Sequence, residues 1–171
     1  MKLADAIGLW LKEKGVKHVF GVSGGASLHL IHGIHNAGIS FIPTAHEQGA
    51  AFCADAYCRI RGIGVAVATS GPGATNLITG IATSYYDSVP TLYLTGNVTT
   101  GRASKLLGVR QYGFQDCPIV DLVREITKDA VQIRIPCLIL EILNCALKIA
   151  NEGRKGPVLI DIPDDIQRAN I

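Results

Sequence analysis

Near the start of the chain apolar residues recur every three or four positions, at Leu3, Ala6, Ile7, Trp10 and Leu11, and the run stops at Gly15. That spacing predicts an amphipathic helix closed by a C-terminal glycine. A short apolar run at 18–22 predicts the first strand; after it, Ser23-Gly24-Gly25-Ala26-Ser27 forms a tight turn into a second helix bearing Leu28, Leu30, Ile31 and Ile34, ended by Gly38. The alternation then repeats. A strand is expected at 41–45 and a helix at 48–61 with Ala50, Ala51, Ala54 and Tyr57 near one face, followed by a strand at 64–69 that is apolar throughout. Gly71, Pro72 and Gly73 predict a sharp turn before a helix at 76–86, and 90–95 supplies the fourth strand.

Beyond it, 97–117 has no clean period, and glycines at 101, 108 and 113 predict a long functional loop. A helix at 119–126, a strand at 130–133, a helix at 136–151 and a strand at 158–162 ended by Pro163 complete the pattern. Strands alternating with helices in this way predict a doubly wound, mostly parallel α/β sheet of about six strands with helices on both faces. No internal repeat or linker interrupts it, so a single domain spanning 1–171 is expected. The segment 136–143 (PCLILEIL) is apolar enough to be either buried core or an interface patch.

Composition narrows the class. With 48% hydrophobic and 18% charged residues the chain suits a sheet buried on both faces. A net charge of +2, with basic residues scattered, gives no case for a nucleic-acid partner. Cys53, Cys58, Cys117, Cys137 and Cys145 are odd in number without C-x-x-C spacing, so free and mostly buried thiols in a reducing cytoplasm are expected. The first fifteen residues carry charges inside their apolar pattern, unlike a signal peptide, and no stretch reaches the ~18 apolar residues of a membrane span. The expected location is cytoplasmic, without a membrane partner.

The candidate chemistry centres on His46-Glu47, a carboxylate at a strand's C-terminal end with no Lys or Arg nearer in sequence than Arg59. Parallel sheets keep their chemistry at that end. Several familiar sites fail on spacing. A zinc-protease helix would need histidine where Ala50 stands, a nucleophile elbow would need glycine at Ala68, a dinucleotide fingerprint would need glycine at Asn76, and no lysine follows a glycine-rich loop. No metal ligands are assigned.

Six motifs resemble one family. GVSGGAS at 21–27, HEQGAAFCADAYCRIRG at 46–62, TSGPGATNLITGIATSYYDSVP at 69–90, GFQDCPIV at 113–120, ITK at 126–128 and GPVLIDIPDDIQ at 156–167 are similar to the N-terminal, pyrimidine-binding domain of thiamine-diphosphate enzymes. Within that family the chain most resembles acetolactate synthase (acetohydroxyacid synthase) large subunits. The resemblance implies the thiamine-diphosphate-binding fold and an enzyme part acting in 2-oxo-acid carboligation or decarboxylation, a transferase or lyase. By resemblance Glu47 is the catalytic carboxylate that holds the proton at the pyrimidine ring nitrogen N1′, so that the cofactor's own imino group can deprotonate its thiazolium carbon. A low-dielectric setting favours sharing that proton over a bare anion.

The resemblance carries Gly24, Gly25 and Ala26 over as the first turn lining the cofactor site, Pro72 and Asn76 as the turn and helix start beside the aminopyrimidine, and Phe114, Gln115 and Lys128 as substrate-side residues. Each has an ordinary alternative: backbone geometry for the glycines, helix capping for Asn76, core packing for Phe114, a solvated lysine for Lys128, and for His46 either tuning of the site or packing at the strand end. Ser23 stands where acetolactate synthases usually have proline and Asn97 where they usually have glutamine; Val109-Arg110-Gln111-Tyr112 also departs from their pattern.

The family binds the diphosphate and Mg²⁺ through a separate domain with a Gly-Asp-Gly…Asn motif that this sequence lacks. The chain alone is therefore expected to be inactive, as a fragment, a truncated product or one subunit of a split decarboxylase. FAD is possible in the full-length enzyme. The expected partners are a second copy in a homodimer or higher homo-oligomer, or a diphosphate-binding domain or subunit, with a small 2-oxo acid as substrate. A non-catalytic dimerisation module is the alternative.

Overall fold

The computed structural model describes residues 1–103 and 108–171. Its core is one six-stranded sheet in which every neighbouring pair is parallel, so the expected sheet is parallel throughout rather than mostly so. The strands are β1 (His18–Gly21), β2 (Ser40–Pro43), β3 (Val65–Ala68), β4 (Leu92–Asn97), β5 (Asp129–Gln132) and β6 (Val158–Pro163), in spatial order β2-β1-β3-β4-β6-β5. The chain runs outward from β1 to β2 and then crosses back to β3 on the other side of β1. This reversal opens a crevice beyond the C-terminal ends of β1 and β3, the usual place for a ligand in such sheets.

The eight helices among the described residues are α1 (Leu3–Glu13), α2 (Leu28–Asn36), α3 (Glu47–Arg61), α4 (Pro72–Thr75), α5 (Ile78–Tyr86), α6 (Ile119–Val123), α7 (Ile139–Asn151) and α8 (Asp164–Arg168). The period of two along each strand sorts them into two layers. Val65 and Val67 of β3, Leu92 and Leu94 of β4, and Val158, Ile160 and Ile162 of β6 point into one core with Leu3, Ile7 and Leu11 of α1, Ile34 of α2, and Ile139 and Leu143 of α7. Ala66, Ala68, Tyr93 and Leu159 point the other way, onto Ala50, Ala51 and Ala54 of α3, Leu77 and Ile81 near α5, and Ile119 and Val123 of α6. Alanines at three successive contact points let α3 lie close on the sheet.

Four expectations need correction in detail. The helix expected at 76–86 begins at Ile78 as α5, and Pro72 starts a separate turn of helix, α4, before it. The strand ended by Pro163 continues directly into α8, a helix absent from the sequence reading. The cysteines are not mostly buried: Cys58 and Cys117 are, whereas Cys53, Cys137 and Cys145 are exposed, and Cys53 and Cys145 lie off the buried stripes of α3 and α7. The segment 136–143 is split by its helical period, with Ile139 and Leu143 fully buried and Leu138 and Leu140 38% and 42% exposed. Part of the loop expected at 97–117, residues 104–107, lies outside the described residues; in the described part a 3-10 turn occupies Thr100–Arg102. Among the described residues no helix is long and apolar enough to cross a membrane.

Candidate cofactor site

Glu47 is the first residue of α3, and His46 is its N-cap, extended in backbone, with Nδ1 accepting the Gln48 backbone N–H at 3.1 Å. This capping is neither of the two roles expected for His46, and the exposed ring is not packed at the strand end. Glu47 itself is only 8% exposed. Its Oε2 accepts from Asn76 Nδ2 at 3.0 Å, and its Oε1 has no hydrogen-bond partner among the described residues. Asn76 sits at the C-terminal end of α4 with its side chain on the carboxylate. The capping alternative does not describe it.

The turn after β3 is shaped to bring these groups together. Gly71 has φ +62°, a left-handed conformation that side chains resist, and a Cβ on it would lie 2.8 Å from both Cβ and O of Gln115. Gln115 is therefore delivered to the same turn, itself at φ +58°. Pro72 opens α4 at the turn's exposed side. A Cβ on Gly73 would meet Thr69 Cγ2 at 2.7 Å and Glu47 Oε1 at 3.3 Å, so the absent side chain leaves the second carboxylate oxygen open.

The turn after β1 joins from the other wall of the crevice. Thr69 Oγ1 accepts the Ala26 N–H at 3.2 Å, and a Cβ on Gly24 would lie 2.5 Å from Thr69 Cγ2. Gly25 is exposed with nothing within 4 Å of where its Cβ would be. Thr69 thus connects Gly24 and Ala26 to Gly73 and Glu47. It lay inside a recognised motif, yet only its contacts reveal that it joins the two turns.

Two of the proposed substrate-side residues do not join this cluster within the chain. Phe114 is 83% exposed, which rules out core packing. Lys128 precedes β5, at the N-terminal edge of the sheet and on its far side; its Nζ donates to the Glu152 carbonyl and its stem packs on Gly156. Since all strands are parallel, Lys128 lies at the opposite end of the sheet from Glu47.

The sequence reading passed over two buried carboxylates. Asp161 of β6, 1% exposed, accepts from Thr95 Oγ1 (2.7 Å), Asn97 Nδ2 (2.8 Å) and Gln132 Nε2 (2.9 Å), tying β4, β5 and β6 together. Burial pushes its carboxyl above the ordinary range, and the three hydrogen bonds partly offset that. It borders a separate cavity of about 460 Å³ with Cys117, Arg124 and Arg134. A lone aspartate in an otherwise apolar strand was the available signal. Asp55 of α3 binds Arg59 (2.7 Å) and Ser84 Oγ (2.7 Å), and Ser84 also meets Tyr93 Oη at 2.9 Å, which locks α3 to α5 and β4. Among the described residues no group of three or more His, Cys, Asp or Glu is placed to hold a metal ion.

The family described as thiamine pyrophosphate enzyme, N-terminal TPP binding domain, matches residues 1–123. The chain belongs to that family. This TPP-binding domain is similar to the probable acetolactate synthase large subunit of Methanocaldococcus jannaschii, at 46% identity over all of the chain and 28% of the relative. It is 45% identical to the acetolactate synthase large subunit of Lactococcus lactis over 94% of the chain and 27% of the relative, and 42% identical to the isozyme 3 large subunit of Escherichia coli over 91% and 26%. The domain thus spans little more than a quarter of the length of these relatives. The residues present fit the pyrimidine half of the cofactor: a largely buried carboxylate with one oxygen anchored and the other open beside a glycine.

Proposed function

We propose that this domain is the cofactor-activating part of a thiamine-diphosphate-dependent 2-oxo-acid carboligase or decarboxylase of the acetolactate synthase kind. The observation that carries the reading is the division of labour between the two oxygens of Glu47. Asn76 occupies Oε2 and fixes the carboxylate plane, so Oε1 is the atom left to hold a proton shared with a ring nitrogen. Gly73 gives that ring room, and Gly24 and Ala26, with Gly25 exposed between them, wall the opposite side through Thr69. Thiamine diphosphate, when bound, supplies the electron sink for the pair released as a 2-oxo acid such as pyruvate loses CO₂. The contact of Gln115 with the Gly71 turn and the exposure of Phe114 support a substrate-side role for both.

Under this reading the diphosphate and its Mg²⁺ are held by a diphosphate-binding domain or subunit outside this chain, with FAD a further component of the complete enzyme. The Glu47 face then meets a second subunit in a homodimer or higher homo-oligomer. Phe52 and Ile60, 40% and 79% exposed on α3, support that surface. The setting is cytoplasmic.

The test is pyruvate consumption by the domain supplied with thiamine diphosphate, Mg²⁺ and its diphosphate-binding part, with acetolactate and acetaldehyde assayed separately. Turnover that falls at least a hundredfold in Glu47→Gln, at an unchanged melting temperature, is expected. Wild-type turnover in Glu47→Gln would remove Glu47 from its role, and assembly without 2-oxo-acid turnover would favour a dimerisation module.

A further inference from the structure

The turn at 24–26 is held from behind by the last helix. Gln167 of α8, fully buried, donates through Nε2 to the Ala26 carbonyl at 2.6 Å and to the Ile162 carbonyl at 2.7 Å, while its Oε1 accepts the Leu30 N–H at 3.2 Å. Both amide protons and the amide oxygen are thus engaged. The Ala26 N–H meanwhile donates to Thr69 Oγ1. One residue of the turn is therefore clamped at its N–H and at its C=O, by a side chain from the end of β3 and by one from α8. The fit is close: a Cβ on Gly96, in β4, would lie 1.8 Å from the Ala26 oxygen.

A helix docked only for stability would bury apolar side chains, as α8 does with Ile166. Burying an amide carries a desolvation cost that its hydrogen bonds must offset, and what those bonds add is geometry. The geometry here ends at the carboxylate, because Thr69 packs against the vacant Cβ positions of Gly24 and Gly73, and Gly73 borders Glu47 Oε1. We infer that Gln167 is a positioning residue for the cofactor face, setting the place of the Gly24–Ala26 turn relative to Thr69 and Glu47. The inference rests on the reading of that turn as cofactor-binding, whereas the clamp itself does not.

The test compares Gln167→Leu and Gln167→Glu with Leu143→Ala, a truncation in the core of α7 that touches neither the turn nor the crevice. Amide hydrogen exchange reads the clamp with no cofactor present. Exchange at least tenfold faster at Ala26 is expected in both Gln167 variants, and at Leu30 in Gln167→Leu, with α3 unchanged and no such local effect in Leu143→Ala. Gln167→Glu keeps the size of the side chain and its acceptor for Leu30, and carries the comparison if Gln167→Leu does not fold. Thiamine diphosphate affinity by calorimetry, with Mg²⁺ and the diphosphate-binding part present, reads the consequence, with tenfold weaker binding in the Gln167 variants and a change within twofold in Leu143→Ala at equal or greater loss of melting temperature. Unchanged exchange at Ala26 overturns the clamp. Faster exchange with unchanged affinity, or equal loss of affinity in Leu143→Ala, overturns the positioning role. No binding by the wild-type domain assembled with its diphosphate-binding part overturns the functional reading on which that role rests, while the exchange result still decides the clamp.

Discussion

The side-chain amide of Asn76 donates to Oε2 of Glu47 at 3.0 Å, joining the end of α4 to the start of α3 across 29 residues of sequence. A hydrogen bond to a charged group contributes about 1.5–3 kcal/mol, more than a neutral one, and here it also decides which carboxylate oxygen remains open. Asn76→Ala is expected to leave the fold intact and to lower cofactor-dependent turnover at least tenfold. Asn76→Asp is expected to do worse, by setting a second carboxylate against the first. Turnover of the two variants with the diphosphate-binding part present measures both effects, and wild-type rates in Asn76→Ala would show Glu47 to be held by other contacts.

His46 contributes through its cap. His46→Ala is expected to cost about 1 kcal/mol in urea unfolding, the usual size of an N-cap loss, and His46→Ser to restore most of it. Cofactor affinity should stay within a few-fold in both. A large affinity loss in the fully stable His46→Ser would instead give the imidazole a part in the site.

Asp161 makes stability depend on pH in a defined direction. Its folded carboxyl is held above the ordinary aspartate range by burial, so the native state keeps the proton longer than the unfolded chain. The stability this group contributes is full below that ordinary range, about pH 4, and is lost as pH rises through the raised folded value. Asp161→Asn can satisfy the same partners, its oxygen accepting from Asn97 and Gln132 and its amide donating to Thr95. Urea unfolding across a pH series should show the variant gaining on the wild type from about pH 4 towards neutrality. A pH-independent difference would show that Asp161 titrates alike in both states.

The thiols divide by exposure. Burial raises Cys58 and Cys117 above the ordinary thiol value, which holds them as unreactive thiols at pH 8, while Cys53, Cys137 and Cys145 are exposed. Iodoacetamide should modify Cys137 and Cys145 in the native protein, and Cys58 and Cys117 only after denaturation. Cys53 lies beside Phe52 on α3, so its labelling should fall when a partner covers the Glu47 face. Equal labelling of Cys53 in the free and assembled protein would place the subunit contact elsewhere.

The fold was legible in the sequence where one period dominated. The all-apolar run Val65–Ala68 read as a central strand, and the recurring apolar positions of α1 marked its buried stripe before any contact was known. Glu47 was legible because it sat at a strand end among flanking motifs. What stayed hidden depended on distance through space. The apolar segment before Leu143 could not be divided into buried and exposed residues without knowing which side of α7 met β6, and Asp161 looked like a misplaced charge until Thr95, Asn97 and Gln132 were brought to it. Lys128 sat in a matching motif, yet the parallel direction of β5 sends it to the far end of the sheet. Sequence order alone does not reveal which end a motif occupies.

The bond from Gln167 to Ala26 also has a consequence in time. It closes across 141 residues, so the first turn of the chain cannot take its final shape until nearly the whole domain has been synthesised and α8 has docked. Strands β1 to β4 can pair beforehand, with the Ala26 carbonyl still facing water. The crevice is complete only once α8 has docked, and a nascent chain stalled before α8 would carry its cofactor wall without the Gln167 bond.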